Sequence, residues 1–251
     1  MIKISSLSLS GGQGKTTLTV LLARYLAQHG KTVLVIDCDA QANSTTFLGV
    51  DIEEDDPTLL EVLKGDIEAK DCLYEVSERL HLIPADDGLD AIGDYLSSSA
   101  AGALMLKRRL KNISGFDYCL IDSPPQRSQI SSTVIGASDY AILPCESSVK
   151  GYGSLVRTLE AIKELQDLEV TNIATLGILP FRDRWVGARR TNESEKCINA
   201  MAQVLDQVFP SIRESEQYKK AVSNRTTLEA LGHPDLEYPF EKIAEKLEGI
   251  S

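Results

Sequence analysis

Between Ser8 and Thr17 the chain reads S-L-S-G-G-Q-G-K-T-T, a glycine cluster ahead of a lysine and two threonines. That spacing suits the grip of a polyphosphate. Gly11, Gly12 and Gly14 can adopt backbone angles closed to other residues, so successive N–H groups can turn inward onto an anion. Lys15 then sets an ammonium beside the β and γ phosphates. Thr16 offers a hydroxyl to Mg²⁺ at the start of a helix whose dipole already favours negative charge. Ser10, Gln13 and Thr17 complete the binding loop. The chemistry implied is nucleotide binding with hydrolysis.

The elements that must position this loop follow from periodicity. Ile2 to Leu9 reads as a first strand, and Lys15 to His29 as the helix it feeds, with Leu18, Leu21, Leu22, Tyr25 and Leu26 on one face and Gly30 closing it. Lys31 to Ile36 (K-T-V-L-V-I) is a short apolar run of the kind covered on both faces in a parallel sheet. Together these make a βαβ unit with a right-handed crossover. Further strands are expected over Leu80 to Pro84, Phe116 to Ile121, Tyr140 to Pro144 and Ala174 to Pro180. Helices are expected over Pro57 to Leu63, Met105 to Ile113 and Lys150 to Leu165, and the remainder reads as mainly helical. In such a sheet ligands sit beyond the carboxyl ends of the strands. The polar residues after each run therefore converge on one edge: Asp37 and Asp39, Asp122, then Glu146 and Lys150.

The full pattern G-x-x-x-x-G-K-[ST] would need its first glycine where Leu9 stands. The variant present, with D-C-D-A-Q-A-N from Asp37 and D-S-P-P from Asp122, resembles the deviant Walker A ATPases of the ParA/MinD family. The resemblance implies a doubly wound, mostly parallel α/β P-loop fold that uses ATP and Mg²⁺. It implies that Asp122 holds a water on the metal alongside Thr16, that Asp37 belongs to the metal shell, and that Asp39 orients the attacking water. Ala40 and Ala42 replace the family's proline and glycine.

In the family a lysine normally precedes the glycine pair and reaches the partner's phosphates in a nucleotide-sandwich dimer. Here that position is Ser10, and Lys150, at the rim of the same edge, is the expected substitute; the alternative is a solvated lysine. This substitution resembles the carboxysome-positioning branch. By analogy Pro180 and Phe181 flank the adenine.

The same resemblance implies a homodimer on ATP, nonspecific double-stranded DNA as the matrix, and a small adaptor, McdB-like or ParB-like. DNA contacts are expected at Arg182, Arg184, Arg189, Arg190, Arg213, Lys219, Lys220 and Arg225. A salt-bridged face is the alternative, because Asp183, Glu193 and Glu195 interleave. Competing readings are a plasmid or chromosome partition ATPase, a nucleotide-dependent regulator and a MinD-like membrane switch.

Composition narrows these. A chain of 251 residues with 43% apolar and 25% charged residues fits one domain over 1–251 with a sizeable core. A formal charge of -11 excludes nucleic-acid binding driven by global charge, so any DNA contact needs a local basic patch. No apolar run approaches a membrane span and no leader pattern opens the chain, which predicts a cytoplasmic, nucleoid-associated protein. The five cysteines show neither disulfide nor metal spacing, and the three histidines are scattered singly. The last helix carries Phe240, Ile243, Leu247 and Ile250 on one stripe, but acidic residues alternate with its lysines. Packing on the domain, with no stable membrane binding, is expected.

Overall fold

A computed structural model describes residues 1–99 and 101–250. The chain opens with β1 (Ile2–Ser6), α1 (Lys15–Gln28), β2 (Val33–Asp37), α2 (Asn43–Leu48) and α3 (Leu59–Lys64). It continues through β3 (Tyr74–Ser77), β4 (Leu80–Ile83), α4 (Ile92–Ser98), α5 (Met105–Arg109), β5 (Tyr118–Asp122) and α6 (Gln129–Ala137). Then come β6 (Tyr140–Glu146), α7 (Val149–Asp167), β7 (Ala174–Asp183), β8 (Trp185–Val186) and β9 (Arg189–Arg190). The last elements are α8 (Asn192–Val204), β10 (Ile212–Arg213), α9 (Glu216–Ser223) and α10 (Tyr238–Glu248).

The main sheet has the order β10-β7-β6-β1-β5-β2-β4-β3. Each pairing is parallel except β3 with β4 at one edge. All five residues of β2 and of β5 are buried, as continuous apolar runs require when helices cover both faces. Alternation then sorts the side chains. Val33 and Val35 join Ile4, Leu120, Ile142 and the inner faces of α1, α9 and α10, whereas Leu34, Ile36, Ile121 and Leu143 pack with α3 to α7 on the other side. Each such buried aliphatic side chain contributes about 1.5–3 kcal/mol relative to leaving it in water.

Several elements differ from expectation for local reasons. β1 stops at Ser6 because the next residues bond to a helix: Ser8 Oγ meets Ser154 Oγ at 3.0 Å, and Leu9 N–H donates to Thr158 Oγ1 at 3.1 Å. β5 begins at Tyr118; Asp117 before it also bonds on both sides, its N–H donating to the Thr32 carbonyl and its carbonyl accepting from Ile2 N–H, while its carboxylate accepts from Thr32 N–H and Thr32 Oγ1. The start of α3 is set by Thr58 rather than Pro57: its hydroxyl accepts from Leu60 N–H while Glu61 reaches back to Thr58 N–H at 2.9 Å. The tail is not purely helical. The arginine-rich run after β7 forms the β8–β9 hairpin, turning at Gly187 with φ 60°.

Phe240, Ile243 and Leu247 of α10 are buried with Leu18, Leu22 and Leu26 of α1, and Ile250 packs against them. Among the described residues no helix is long and apolar enough to cross a membrane. All five cysteines are buried free thiols, and burial pushes those of Cys72, Cys119 and Cys145 up to about 12.

Candidate nucleotide site

The sheet register lines up the ends of three neighbouring strands. Ser6 stands opposite Asp122, and Asp122 opposite Asp37, so two carboxylates lie side by side at the carboxyl edge next to the strand that feeds the glycine loop. Above them opens a cavity of about 280 Å³ lined by Gly11 to Thr17, Asp39, Gln41, Asn43, Pro125, Phe181 and Arg182.

The loop's shape depends on two of its glycines. Gly12 and Gly14 take φ 77° and 96°, whereas Gly11 stays outside the left-handed region. A Cβ on Gly14 would lie 2.6 Å from the Phe181 ring, so that ring rests directly on the bare backbone. Gln13 is fully buried and its Oε1 accepts from Glu146 N–H at 2.9 Å, tying the loop to the end of β6. Lys15 is 6% exposed and donates to the Ser10 carbonyl at 3.2 Å. Burial lowers its pKa, and the charges of Asp122 and Asp39 oppose that shift. An ammonium held dry at a helix start favours a phosphate as its next partner.

Asp37 and Asp39 do not share a side as an extended strand would have placed them. Asp39 faces the cavity. Asp37 is fully buried beneath it, with Oδ2 accepting from Thr45 N–H and Thr45 Oγ1 at 2.9 Å and Oδ1 from Asp39 N–H at 3.2 Å. The chain leaves the strand at Cys38 and turns into α2, so period-two alternation fails after Asp37. That turn is tight: Ala42, at the start of α2, sits at φ 49°. Alanine there costs about 1 kcal/mol relative to an unstrained residue. Ala42→Gly is expected to raise the unfolding free energy by up to about 1 kcal/mol in a urea titration.

Asp122 Oδ2 accepts from Thr16 Oγ1 and Ser44 Oγ, both at 2.8 Å, while its Oδ1 is buried with no partner. An orphaned carboxylate oxygen next to a threonine hydroxyl, in an all-oxygen donor set, fits Mg²⁺. The described residues hold no cluster of three or more His, Cys, Asp or Glu side chains that could cage a metal alone. Phosphate oxygens and water would supply the remaining positions, the usual arrangement for Mg²⁺ at a nucleotide. Thr16 and Asp122 are the residues able to hold it, and Asp37 acts one layer below.

Burial pushes both Asp37 and Asp122 above the ordinary carboxylate range, with the charge of Asp122 adding to the shift at Asp37 and that of Asp39 at Asp122, where Ser44, Thr16 and Lys15 oppose it. Because these folded-state pKa values are raised, the pair's contribution to stability is fully present below the unfolded value of about 4 and is lost as pH climbs through the raised values toward neutrality. In chelator, the metal-free chain should melt lower at pH 8 than at pH 5. Asp122→Asn removes one of the two buried charges and should flatten that dependence, read by thermal melts across pH; each tenfold change in proton affinity so relieved corresponds to about 1.4 kcal/mol.

The other expected site residues are distributed unevenly. Phe181 lines the cavity, whereas Pro180 is buried in β7 opposite Cys145 and offers the cavity no surface. Ser10 stands outside it, its hydroxyl accepting from the Arg157 guanidinium of α7 at 3.2 Å. Lys150 is exposed in the first turn of α7.

Of the basic candidates, Arg182 belongs to the cavity and pairs with Glu146 at 3.5 Å. Arg184 pairs with Glu214, Lys219 with Glu216, and Arg190 with the fully buried Asp183. Arg190 and Arg213 also lie over the Trp185 ring, at 5.2 and 4.1 Å. Arg189, Lys220 and Arg225 have no carboxylate partner among the described residues. The eight residues are therefore not one uniform patch. Acidic neighbours engage half of them, and of the interleaved Asp183, Glu193 and Glu195 only Asp183 does so among the described residues.

Gln41, Asn43 and Pro125 lie within the D-C-D-A-Q-A-N and D-S-P-P motifs but carry no assigned role there, and Ser44, Thr45 and Arg157 belong to no pattern the sequence offered. Ser44 and Thr45 sit one short turn after the aspartate pair, where a hydroxyl-rich helix start could have been read as their partner. Arg157 gave no such signal, because it meets Ser10 across a separation of 147 residues.

Comparison with known proteins agrees with this geometry. A family model described as an AAA domain matches residues 1–173. "Maintenance of carboxysome distribution protein A" (McdA) of Synechococcus elongatus is 48% identical, the match covering 98% of this chain and 99% of that protein. The chain belongs to the ParA/MinD family of ATPases. This ParA-type ATPase also resembles a probable plasmid-partitioning protein ParA of Thermus thermophilus, 30% identical over 94% of this chain and 75% of that one. The solved ATP complex of a Cyanothece McdA variant superposes with a TM-score of 0.96 at 47% identity, covering 99% of this chain and 96% of that one. The doubly wound P-loop fold and ATP binding are thus properties of this ParA-type ATPase as of its relatives.

Proposed function

We propose that this ATPase distributes carboxysomes by a nucleotide-gated cycle. Two copies close over two Mg-ATP, the dimer holds nonspecific duplex DNA on the nucleoid, and a small McdB-like adaptor stimulates hydrolysis to release it. The observation that carries the reading is the near full-length similarity to McdA, which spans the glycine loop, both aspartate segments and the C-terminal helices. The weaker similarity to a plasmid-partitioning ParA keeps a second reading, in which the adaptor is a ParB-like centromere binder. The neighbouring gene separates the two: a small adaptor beside carboxysome shell genes supports the first.

In this cycle Lys15 and the loop N–H groups hold the β and γ phosphates. Mg²⁺ would supply neutralisation of the charge that develops on the phosphates. Thr16 and Asp122 would hold it; Asp37 braces Thr45 and so fixes the start of α2. Asp39 orients the attacking water, a task of geometry rather than strong basicity.

The decisive experiment is a mobility or pelleting assay with arbitrary duplex DNA. Binding should require ATP and fall steeply with salt; indifference to nucleotide would remove the dimer switch. Face-to-face triphosphates need cations from both chains, and the exposed Lys150 is free to cross. Lys150→Ala is expected to weaken ATP-dependent dimerisation about tenfold or more in analytical ultracentrifugation, with monomer ATP uptake unchanged. An unaltered dimer would make it an ordinary surface lysine.

A further inference from the structure

The residues leading into the glycine loop lie one after another on a single face of α7. Ser8 Oγ meets Ser154 Oγ at 3.0 Å, Leu9 N–H donates to Thr158 Oγ1 at 3.1 Å, and Ser10 Oγ accepts from Arg157 Nη2 at 3.2 Å. Positions 154, 157 and 158 are surface neighbours on a helix, at i, i+3 and i+4. Ser154 and Thr158 are buried, and Thr158 Oγ1 itself donates to the Ser154 carbonyl at 2.8 Å, so they form a fixed floor for the loop's entry. Arg157 is the exposed margin of that floor.

The reach of the arginine follows from the fold. α7 leaves the carboxyl end of β6, which Gln13 ties to the glycine loop, so the first turn of α7 stands at the nucleotide edge. Helical side chains lean toward the N-terminus. The Arg157 guanidinium accordingly lies back along the helix, where a Cβ on Gly153 would stand 3.6 Å from Nη1. It has no carboxylate partner among the described residues; the arginine ion pairs there belong to Arg127, Arg182, Arg184 and Arg190. Its partner is the Ser10 hydroxyl, and the same serine holds a second cation, because Lys15 Nζ donates to the Ser10 carbonyl at 3.2 Å. Ser10 is thus clasped from two sides. The Lys15 clasp is the one given up when that ammonium moves to a phosphate.

We propose that Arg157 is a positioning residue for ATP binding, acting through the Ser10 hydroxyl to keep the entry of the glycine loop seated on α7 while Lys15 turns to the phosphates. Arg157 does not line the cavity, so its effect reaches the nucleotide only through the loop. A loop left loose at Ser10 has to be ordered at the moment of binding, which lowers affinity. The inference rests on the reading that Lys15 and the loop N–H groups hold the β and γ phosphates.

Two measurements on the full chain test this: isothermal titration with ATP and Mg²⁺, and steady-state phosphate release. Arg157→Ala should raise the Kd for ATP about three- to tenfold, the scale of one net hydrogen bond, with a much smaller change in kcat at saturating ATP. Arg157→Lys, which keeps a cationic donor, should recover most of the affinity. Ser10→Ala should weaken binding to a similar extent, and the double variant Ser10→Ala/Arg157→Ala no further. Additive losses would show the guanidinium acting as a general attractant for the triphosphate instead of through Ser10, and would overturn the proposal. Wild-type affinity in Arg157→Ala would overturn it too, as would a loss confined to kcat. Because Ser10→Ala reads the same contact from the loop side, a lowered Tm in Arg157→Ala leaves the comparison standing. If the wild-type chain itself took up no ATP, the loop reading would fall and the proposal with it.

Discussion

Alanine at Asp39 is expected to leave ATP uptake within a few-fold of wild type and to lower turnover by about 10²-fold or more, the scale for misplacing a reacting group. Among the three carboxylates at the sheet edge, Asp39 is the one that lines the cavity. Asp37 is occupied by Thr45 and the Asp39 N–H, and Asp122 by Thr16 and Ser44. The Asp39 carboxylate is itself steadied by accepting from Gln41 N–H at 3.1 Å. Removing it takes away the carboxylate proposed to orient the attacking water while sparing the loop proposed to grip phosphate. Equilibrium binding of a fluorescent ATP analogue and steady-state phosphate release measure the two effects separately. Normal turnover would move the water-positioning role to Gln41 or Asn43, which line the same cavity.

Gly14→Ala should weaken nucleotide binding by a different route. At φ 96° an alanine is strained by about 1–2 kcal/mol. Its methyl would also sit 2.6 Å from the Phe181 ring, adding an overpacking cost of about 1–3 kcal/mol. The sum corresponds to a loss of roughly 30- to several thousand-fold in ATP affinity, because the loop must give way for the ring to stay. Isothermal titration reads the loss, and a double-mutant cycle assigns it. Phe181→Ala on the Gly14→Ala background should restore the overpacking share and leave the dihedral share. If the second substitution restores nothing, the Phe181 ring is not what the missing Cβ makes room for.

How much of this was legible depends on the range of each interaction. The strands β2 and β5 were readable because a sheet covered on both faces demands runs such as V-L-V-I and Y-C-L-I, and the aspartates ending them were placed by the same logic. The loop after β1 was readable because phosphate geometry constrains neighbouring residues. The separation of Asp37 from Asp39 was not, since it arises from the turn into α2 at Ala42, where alanine takes an angle more natural to glycine. The edge strand β3 was missed because its alternating, half-exposed Y-E-V-S carries little apolar signal. Arg157 on Ser10, and Arg24 on Phe47, are contacts between distant segments that no local pattern encodes.

The buried sulphur atoms have a practical corollary. Cys38, Cys72, Cys119, Cys145 and Cys197 all lie inside the fold with their ionisation suppressed. The thiolate is the reactive species, so maleimide reagents should ignore the native chain. A cysteine introduced at an exposed position such as Glu54 would then take a single dye, and the proposed dimerisation and DNA binding could be tested one molecule at a time without first stripping the natural cysteines.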